Sequence, residues 1–317
     1  MTPSDQLWGG LVALRDRLKS NSDQVIACSY IEGKFHLHRE AEELQTNPAS
    51  AILVWDDTQN ITLGDEWQSH KLPFDNFSMY TTESIPAEES KNLSLYWPLC
   101  LIDLCRRKGP FVFLHMACSI DGKVATLDGD SKWIGNEANL IHAHRLRALV
   151  DAVMVGAKTV VNDNPTLTVR HVTGSSPIRL ILSNHTVDFT ALMHTPETNT
   201  FLLRDKQYQN IETPDTFSNV VYYDGAKEEH KITDLLGKLK DEGIRSILIE
   251  GGPETASTFL RNGSIDIVQF HMAPLILGSG KSCINLTDIN CIGDGQDLSH
   301  HVWHSMGDTQ MITAKPA

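Results

Sequence analysis

At 317 residues the chain is long enough for two domains, each with its own core. Lys and Arg total 27 against 40 Asp and Glu, a formal charge of −13, so the average surface repels a polyphosphate and nucleic acid is not the expected partner. With 41% hydrophobic and 21% charged residues the chain is too apolar for disorder, and its most apolar stretches, 95–105 and 265–277, are short and carry Asp103, Asp266 and His271, which argues against a membrane span.

In chain order, the start MTPSDQLWGG has no basic segment followed by an apolar one, so no export signal is expected. Leu7, Leu11, Leu14 and Leu18 recur at helical spacing behind Ser4, a candidate N-cap, and predict a helix over 4–20. Short strands are predicted at 25–30, 35–37 and 51–55, followed by irregular chain through Pro73 and Pro86. A segment over 93–107 then ends at Lys108-Gly109-Pro110, and this break divides the chain into an N-terminal accessory domain, 1–108, and a second domain, 109–317.

Beyond the break the pattern changes. Apolar strand-like runs at 111–118, 152–155, 178–182, 200–203, 220–223, 246–249 and 265–277 alternate with helical segments at 136–150, 157–161, 232–242 and 253–261. Such alternation predicts an α/β sheet with helices on both faces. The runs 302–305 and 310–314, joined by Gly307-Asp308, predict a closing antiparallel hairpin. Six Cys form no Cys-x-x-Cys pair, and a chain of this length needs no disulfide framework, so a reducing, cytoplasmic setting is expected.

Several groupings could carry chemistry. The run from Ser246 ends in Glu250-Gly251-Gly252 before Pro253 at a first helical position: glycines admit a ligand to the backbone, and free N–H groups at a helix start attract phosphate. A tight strand-to-helix turn is the plainer reading. Asp163-Asn-Pro-Thr-Leu-Thr-Val-Arg170 reads first as turn chemistry. His144 and Arg147 share a helix face with Leu140, where they could clamp a phosphate or simply be solvated. Asp121-Gly122 is either a hairpin turn or part of a flexible flap that also includes Ser131 and Trp133. His38-Arg39-Glu40 matches half of a zinc-deaminase motif, but the other half needs Pro-Cys-x-x-Cys. Here Pro98-Leu99-Cys100 is followed by Cys105, and on a helix that spacing sets the sulfurs about 140° apart, so no zinc is expected.

Taken in order, Ser119-Ile-Asp-Gly-Lys-Val-Ala, Asp130-Ser-Lys-Trp-Ile, His144-Arg-Leu-Arg-Ala, Val155-Gly with Thr159-Val, Asp163-Asn-Pro-Thr-Leu-Thr-Val-Arg, Pro177-Ile-Arg, Glu250-Gly-Gly-Pro and Ala273-Pro-Leu-Ile-Leu-Gly resemble the reductase domain of the bifunctional pyrimidine deaminase/reductase family of bacterial riboflavin biosynthesis. The resemblance covers about 110–315. It implies a dihydrofolate-reductase-like mixed sheet flanked by helices, beside the smaller N-terminal α+β domain. It also implies NADPH-dependent reduction of 5-amino-6-(5-phosphoribosylamino)uracil to its ribitylamino counterpart, by hydride transfer to ribose C1′, in a homodimer.

By the same resemblance His115, Ser131, Arg147, Leu167, Arg170 and Glu250 fall at substrate positions, with Glu250 also catalytic. Ala117, Trp133, Thr159, Asp163, Ser183, Asn184 and the run Gly251, Gly252, Pro253, Glu254, Thr255, Ala256, Ser257 and Thr258 fall at cofactor positions. Two departures stand out. His115 occupies the place of a family Lys, and 1–108 lacks the deaminase ligand set. A related pyrimidine or pteridine-like substrate, or a non-catalytic nucleotide-binding protein, are the alternatives.

Overall fold

The computed structural model describes residues 3–20, 27–31, 34–38, 51–55, 67–70, 72, 77–100, 109–132, 134–185, 199–213, 217, 219–225, 228–287 and 289–317. They belong to two compact units, 1–106 and 107–317.

In the first unit, helix α1 (Pro3–Ser20) begins at Pro3, whose missing N–H costs nothing in a first turn, so Ser4 lies inside the helix. Strands β1 (Ala27–Ile31), β2 (Lys34–His38), β3 (Ala51–Trp55), β4 (Trp67–His70) and β5 (Phe77–Thr82) form an antiparallel sheet in the order β2-β1-β3-β5-β4. Helix α2 (Ala87–Cys100) packs on α1, where Trp8 meets the Tyr96 ring edge-on at 5.5 Å.

The stretch from Pro73 to Pro86, read from sequence as irregular, therefore contains β5, and α2 begins at Ala87. Met79 and Thr81 are buried while Tyr80 and Thr82 are only half-buried, which is the period of a strand with one covered face. Pro86 stands just before α2 and punctuates the break between the two elements. Glu88 and Glu89 in the first turn of α2 oppose the positive end of its dipole.

The second unit is built on a nine-stranded sheet. Its strands are β6 (Phe111–Ser119), β8 (Ala152–Gly156), β9 (Ile178–Leu182), β10 (Thr200–Asp205), β11 (Asn219–Tyr223), β12 (Ser246–Ile249), β13 (Ile267–Ala273), β15 (Leu298–Met306) and β16 (Thr309–Pro316), in the order β11-β10-β9-β8-β12-β6-β13-β16-β15. From β11 to β13 every pairing is parallel, and β16 and β15 close the sheet antiparallel. Parallel strands covered on both faces need no polar alternation, which is why β12 is buried at all four positions. The predicted strand 265–277 is shorter than expected, ending at Ala273 before Pro274.

Helices α3 (Glu137–Leu149), α4 (Ala157–Asp163), α5 (Glu228–Asp241) and α6 (Pro253–Arg261) lie between strands. Because β12 is inserted between β6 and β8, the C-terminal ends of strands far apart in sequence lie side by side: Ile249 pairs with both Leu114 and Met154. That strand-order switch is where open α/β sheets bind ligands.

A separate two-stranded flap joins β7 (Lys123–Ala125) to β14 (Lys281–Ser282). Asp121 anchors its base by accepting from Ser119 Oγ (2.6 Å) and from the N–H groups of Leu277 (3.1 Å) and Gly278 (2.8 Å). Gly122 turns the chain with φ of +74°, a conformation glycine adopts without steric cost. No helix among the described residues is long and apolar enough to cross a membrane.

Candidate active site

A cavity of about 1370 Å³ opens at the C-terminal ends of the parallel strands. It exceeds the roughly 300–1,000 Å³ of ordinary small-molecule sites, so it can hold two ligands together. Of the expected site residues, His115, Ala117, Ser131, Thr159, Asp163, Ser183, Asn184 and Glu250 line it, as do Gly251, Gly252, Pro253, Glu254, Thr255 and Thr258. Ala256 and Ser257 are buried on α6 behind the wall, where Ser257 Oγ donates to Pro253 O (2.6 Å) and accepts from Asn285 N (2.8 Å). Leu167 is buried with φ of +55° and is absent from the lining, as are Arg147 and Arg170. Trp133 lies outside the described residues.

One wall is made by two strand-to-helix turns. Gly156 ends β8 and starts α4; Gly252 follows β12 and starts α6, and neither helix has a side-chain cap. The turns touch, with Gly156 N donating to Gly251 O at 3.2 Å. A Cβ on Gly156 would lie 2.7 Å from Thr255 Oγ1, and one on Gly252 would lie 3.0 Å from Thr159 Oγ1. Gly251 takes φ of +120°. A Cβ at Gly156 or Gly252 would press on a threonine hydroxyl, and the uncapped first turn of α6, whose Glu254 and Thr255 line the cavity, has N–H donors beyond the reach of intrahelical acceptors, the arrangement an anionic diphosphate needs. Lys158 and Glu254 bridge the two helices at 2.8 Å, but both are largely exposed and the pair contributes little.

Glu250 stands beside the cavity, level with His115 on the neighbouring strand, and is gripped from behind by Arg147. Arg147 Nε and Nη2 donate to its two carboxylate oxygens at 2.7 and 2.6 Å, and Nη1 donates to Thr168 O at 3.1 Å. The side chains are 13% and 11% exposed, so the pair is mostly out of water. Burial works against the Arg147 charge, but the charge and hydrogen bonds of Glu250 outweigh it and raise the pKa. Arg170 is exposed, with its guanidinium on Thr166 Oγ1 and its backbone N–H donating to His144 Nδ1 at 3.0 Å.

Behind His115 lies a histidine cluster. His115 Nε2 donates to Asn139 Oδ1 (3.0 Å), and its ring meets His142 edge-on at 5.1 Å. His142 Nε2 donates to Gln269 Oε1 (2.7 Å), and Gln269 Nε2 donates to Thr313 Oγ1 (2.9 Å). Burial lowers the pKa of His115 against the pull of Glu250, takes His144 and His271 down to about 4, and holds His142 well below the ordinary imidazole value. The imidazole at the cavity is therefore neutral at pH 7.

Asn139, Lys158, His185 and Lys231 line the cavity without having been singled out from sequence, and Gly156, quoted there only within a motif, lines it too. Gly156 was legible, since it repeats the strand-Gly-helix pattern of Gly252; the others carry no local signal. His38 falls in β2 and Cys100 in α2, while Arg39, Glu40 and Cys105 lie outside the described residues. Among the described residues no group of three or more His, Cys, Asp and Glu is placed to hold a metal ion.

Residues 110–298 match the family of RibD C-terminal domains. The chain is 37% identical over 177 residues to the riboflavin biosynthesis protein RibD of Aquifex aeolicus, covering 55% of this chain and 49% of that protein. The chain thus spans about half the length of the RibD relatives it matches. It is 31% identical over 194 residues to the 2,5-diamino-6-ribosylamino-4(3H)-pyrimidinone 5′-phosphate reductase of Methanothermobacter thermautotrophicus, covering 59% of this chain and 86% of that one. Among solved structures, the Thermotoga maritima diaminohydroxyphosphoribosylaminopyrimidine deaminase/5-amino-6-(5-phosphoribosylamino)uracil reductase superposes with a TM-score of 0.57 at 27% identity, covering 73% of this chain and 62% of that one. The mixed sheet flanked by helices is the α/β class expected from the sequence, and it is the fold shared with that reductase.

Proposed function

Because the chain belongs to the RibD C-terminal domain family, we propose that it is a nicotinamide-dependent oxidoreductase of riboflavin biosynthesis that reduces 5-amino-6-(5-phosphoribosylamino)uracil to its ribitylamino product. The observation that carries this reading is the convergence, in one large cavity, of a glycine cradle suited to a diphosphate and an Arg-held carboxylate.

The residues present fit a nicotinamide dinucleotide: the uncapped start of α6 suits the diphosphate, and a Cβ at Gly156 or Gly252 would crowd the turns. When bound, the reduced cofactor would supply hydride to C1′ of the opened ribosylamine. Each Glu250 oxygen accepts one Arg147 N–H and keeps a lone pair for a substrate N–H or O–H, while its charge favours the protonated imine over the neutral one. Arg147 acts in this reading as the positioning partner of Glu250. Neutral His115 offers hydrogen bonding without charge where the family carries Lys.

Arg170 is assigned to the substrate phosphate, for which an exposed guanidinium beside the Asp163–Arg170 loop is chemically suited. Arg170→Ala is expected to lower kcat/KM for the phosphorylated substrate by roughly tenfold to a hundredfold, the worth of a charge-assisted contact. Cofactor affinity should change little. Equal losses on a dephosphorylated substrate would remove the assignment.

The cofactor is assigned as NADPH. The chain has no Gly-x-Gly-x-x-Gly followed by a ribose-binding acid, and His185 and Lys231 line the cavity with Ser183 and Asn184, a donor set fit for a 2′-phosphate. Fluorescence titration should give at least about tenfold tighter binding of NADPH than NADH, one charge-assisted phosphate contact. Equal affinities would sink the assignment.

A second reading is favoured by the 86% coverage of the archaeal reductase: a ring with a 2-amino group in place of the uracil carbonyl. Parallel assays of both pyrimidines with NADPH decide between them, and turnover of neither removes the proposed function. A homodimer and a cytoplasmic location complete the reading. The open edge of β15, nine residues long, supports the former, and sedimentation showing single chains would discard it.

A further inference from the structure

Two thiols meet at the base of the β7–β14 flap. Cys118, the second-last residue of β6, is 3% exposed, whereas Cys283 follows β14 and is half-buried. They are brought together by the flap itself: Cys283 N donates to Gly122 O at 2.9 Å, and Cys283 Sγ lies 3.9 Å from where a Cβ on Gly122 would stand. Each thiol lies within reach of the other, and each shifts the other's ionisation. Their chain neighbours Ala117 and Ser282 both line the cavity, so the pair sits one residue behind its wall on each side.

We propose that Cys118 and Cys283 form an oxidisable thiol pair, a modification site for hydroperoxides that closes as a disulfide and locks the flap beside the cavity. The inference goes beyond the proposed reaction and does not depend on it.

The local chemistry favours Cys283 as the attacking thiol. The hydrogen bond from Cys118 stabilises its thiolate, as do the N–H groups of Ile284 and Cys283 itself and the Lys123 ammonium, bringing its pKa down to about 7, while the proton on Cys118 is held more tightly than usual. Lys123 is kept near by its bond to Ser282 Oγ at 3.1 Å.

In the first step the Cys283 thiolate attacks one peroxide oxygen. An S–O bond forms, the O–O bond breaks, sulfur loses two electrons to the peroxide, and the departing hydroxide takes a proton to become water. In the second, Cys118 sulfur attacks the Cys283 sulfenic acid. The S–S bond forms, the S–O bond breaks, and the leaving hydroxide takes the Cys118 proton as a second water. Two thiols and one hydroperoxide thus give a disulfide, with water from hydrogen peroxide itself. Closing to an S–S length of about 2.0 Å ties the end of β14 to β6.

The test treats the reduced full chain with a small excess of hydrogen peroxide, alkylates the remaining thiols and maps the peptides by mass spectrometry. The expected product is the peptide pair linked through Cys118 and Cys283, two hydrogens lighter and reversed by dithiothreitol. Cys283→Ser should prevent it, and Cys118→Ser should leave a dimedone-reactive sulfenic acid on Cys283. Trypsin cleavage after Lys123 and Lys281, both on the flap, should slow by at least about tenfold in the oxidised protein, since cleavage needs local opening. Oxidation that falls on exposed Cys291 first, or a linked protein cut at the reduced rate, overturns the proposal. None of these readouts involves cofactor or substrate, so failure of the proposed reaction is seen separately.

Discussion

Glu250→Ala is expected to destabilise the second unit by on the order of 3–5 kcal/mol, because it leaves the Arg147 guanidinium buried without its counter-charge. The geometry sets this scale: two parallel N–H···O bonds at 2.7 and 2.6 Å, between side chains 13% and 11% exposed, cannot be replaced by water without opening the site. Arg147→Leu should be similarly harmful, since it strands the carboxylate. The double variant Arg147→Leu with Glu250→Ala should be markedly less destabilised than the sum of the singles, because it removes both charges together. Urea unfolding of all four proteins measures the coupling, and additive single effects would refute it. Glu250→Gln separates stability from chemistry. It keeps the shape and one acceptor, yet should lower kcat by roughly a hundredfold or more if the carboxylate stabilises charge in the reacting imine.

Acidification below pH 6.5 is expected to cost several kcal/mol through buried histidines. His144 and His271 have folded pKa values of about 4, whereas an exposed imidazole in the unfolded chain titrates near about 6.5. Below pH 6.5 the unfolded chain therefore binds protons that the folded chain refuses, and stability falls with pH. The stability is fully present above about pH 6.5 and is lost progressively down to about pH 4, on the order of 3 kcal/mol for each group. His142 adds to the loss in the same direction. Urea midpoints at pH 7.5, 6 and 5 should decline steadily, and a midpoint constant to pH 4.5 would contradict the assignment. His271→Leu sharpens the test: both ring nitrogens are buried without hydrogen-bond partners, so the variant should hold its stability at pH 7.5 and lose less than the parent at pH 5.

Much of the second unit was legible because strands and helices announce themselves by different local periods. Ser246–Ile249 is a short apolar run between turn residues and Pro253–Arg261 starts with proline, and both elements have the expected bounds. Between Pro73 and Pro86 the same logic failed. The alternation of Phe77, Met79 and Thr81 was masked by flanking prolines, Glu and Ser, and the strand exists because the sheet covers its Met79 face.

The candidate site divides in the same way. Glu250-Gly251-Gly252-Pro253 carries its meaning within four residues, since an uncapped helix start after a strand is a local property. Arg147 does not. Its helix face predicted a solvated or phosphate-binding cation, but its guanidinium meets a carboxylate 103 residues away.

By itself the sequence determined the order and kind of the elements in the second unit, the glycine turns and the family to which they belong. Tertiary structure alone decided that β12 enters between β8 and β6, which sets Glu250 beside His115 and before Arg147, that β13 pairs with β6, which gathers His271 with His115 and His142, and that β14 pairs with β7, which brings Cys283 towards Cys118. The reason is physical: backbone propensity and hydrophobic period act over a few residues, whereas the neighbours of a buried side chain are set by which strands pair, and that choice minimises exposed apolar area over the whole sheet.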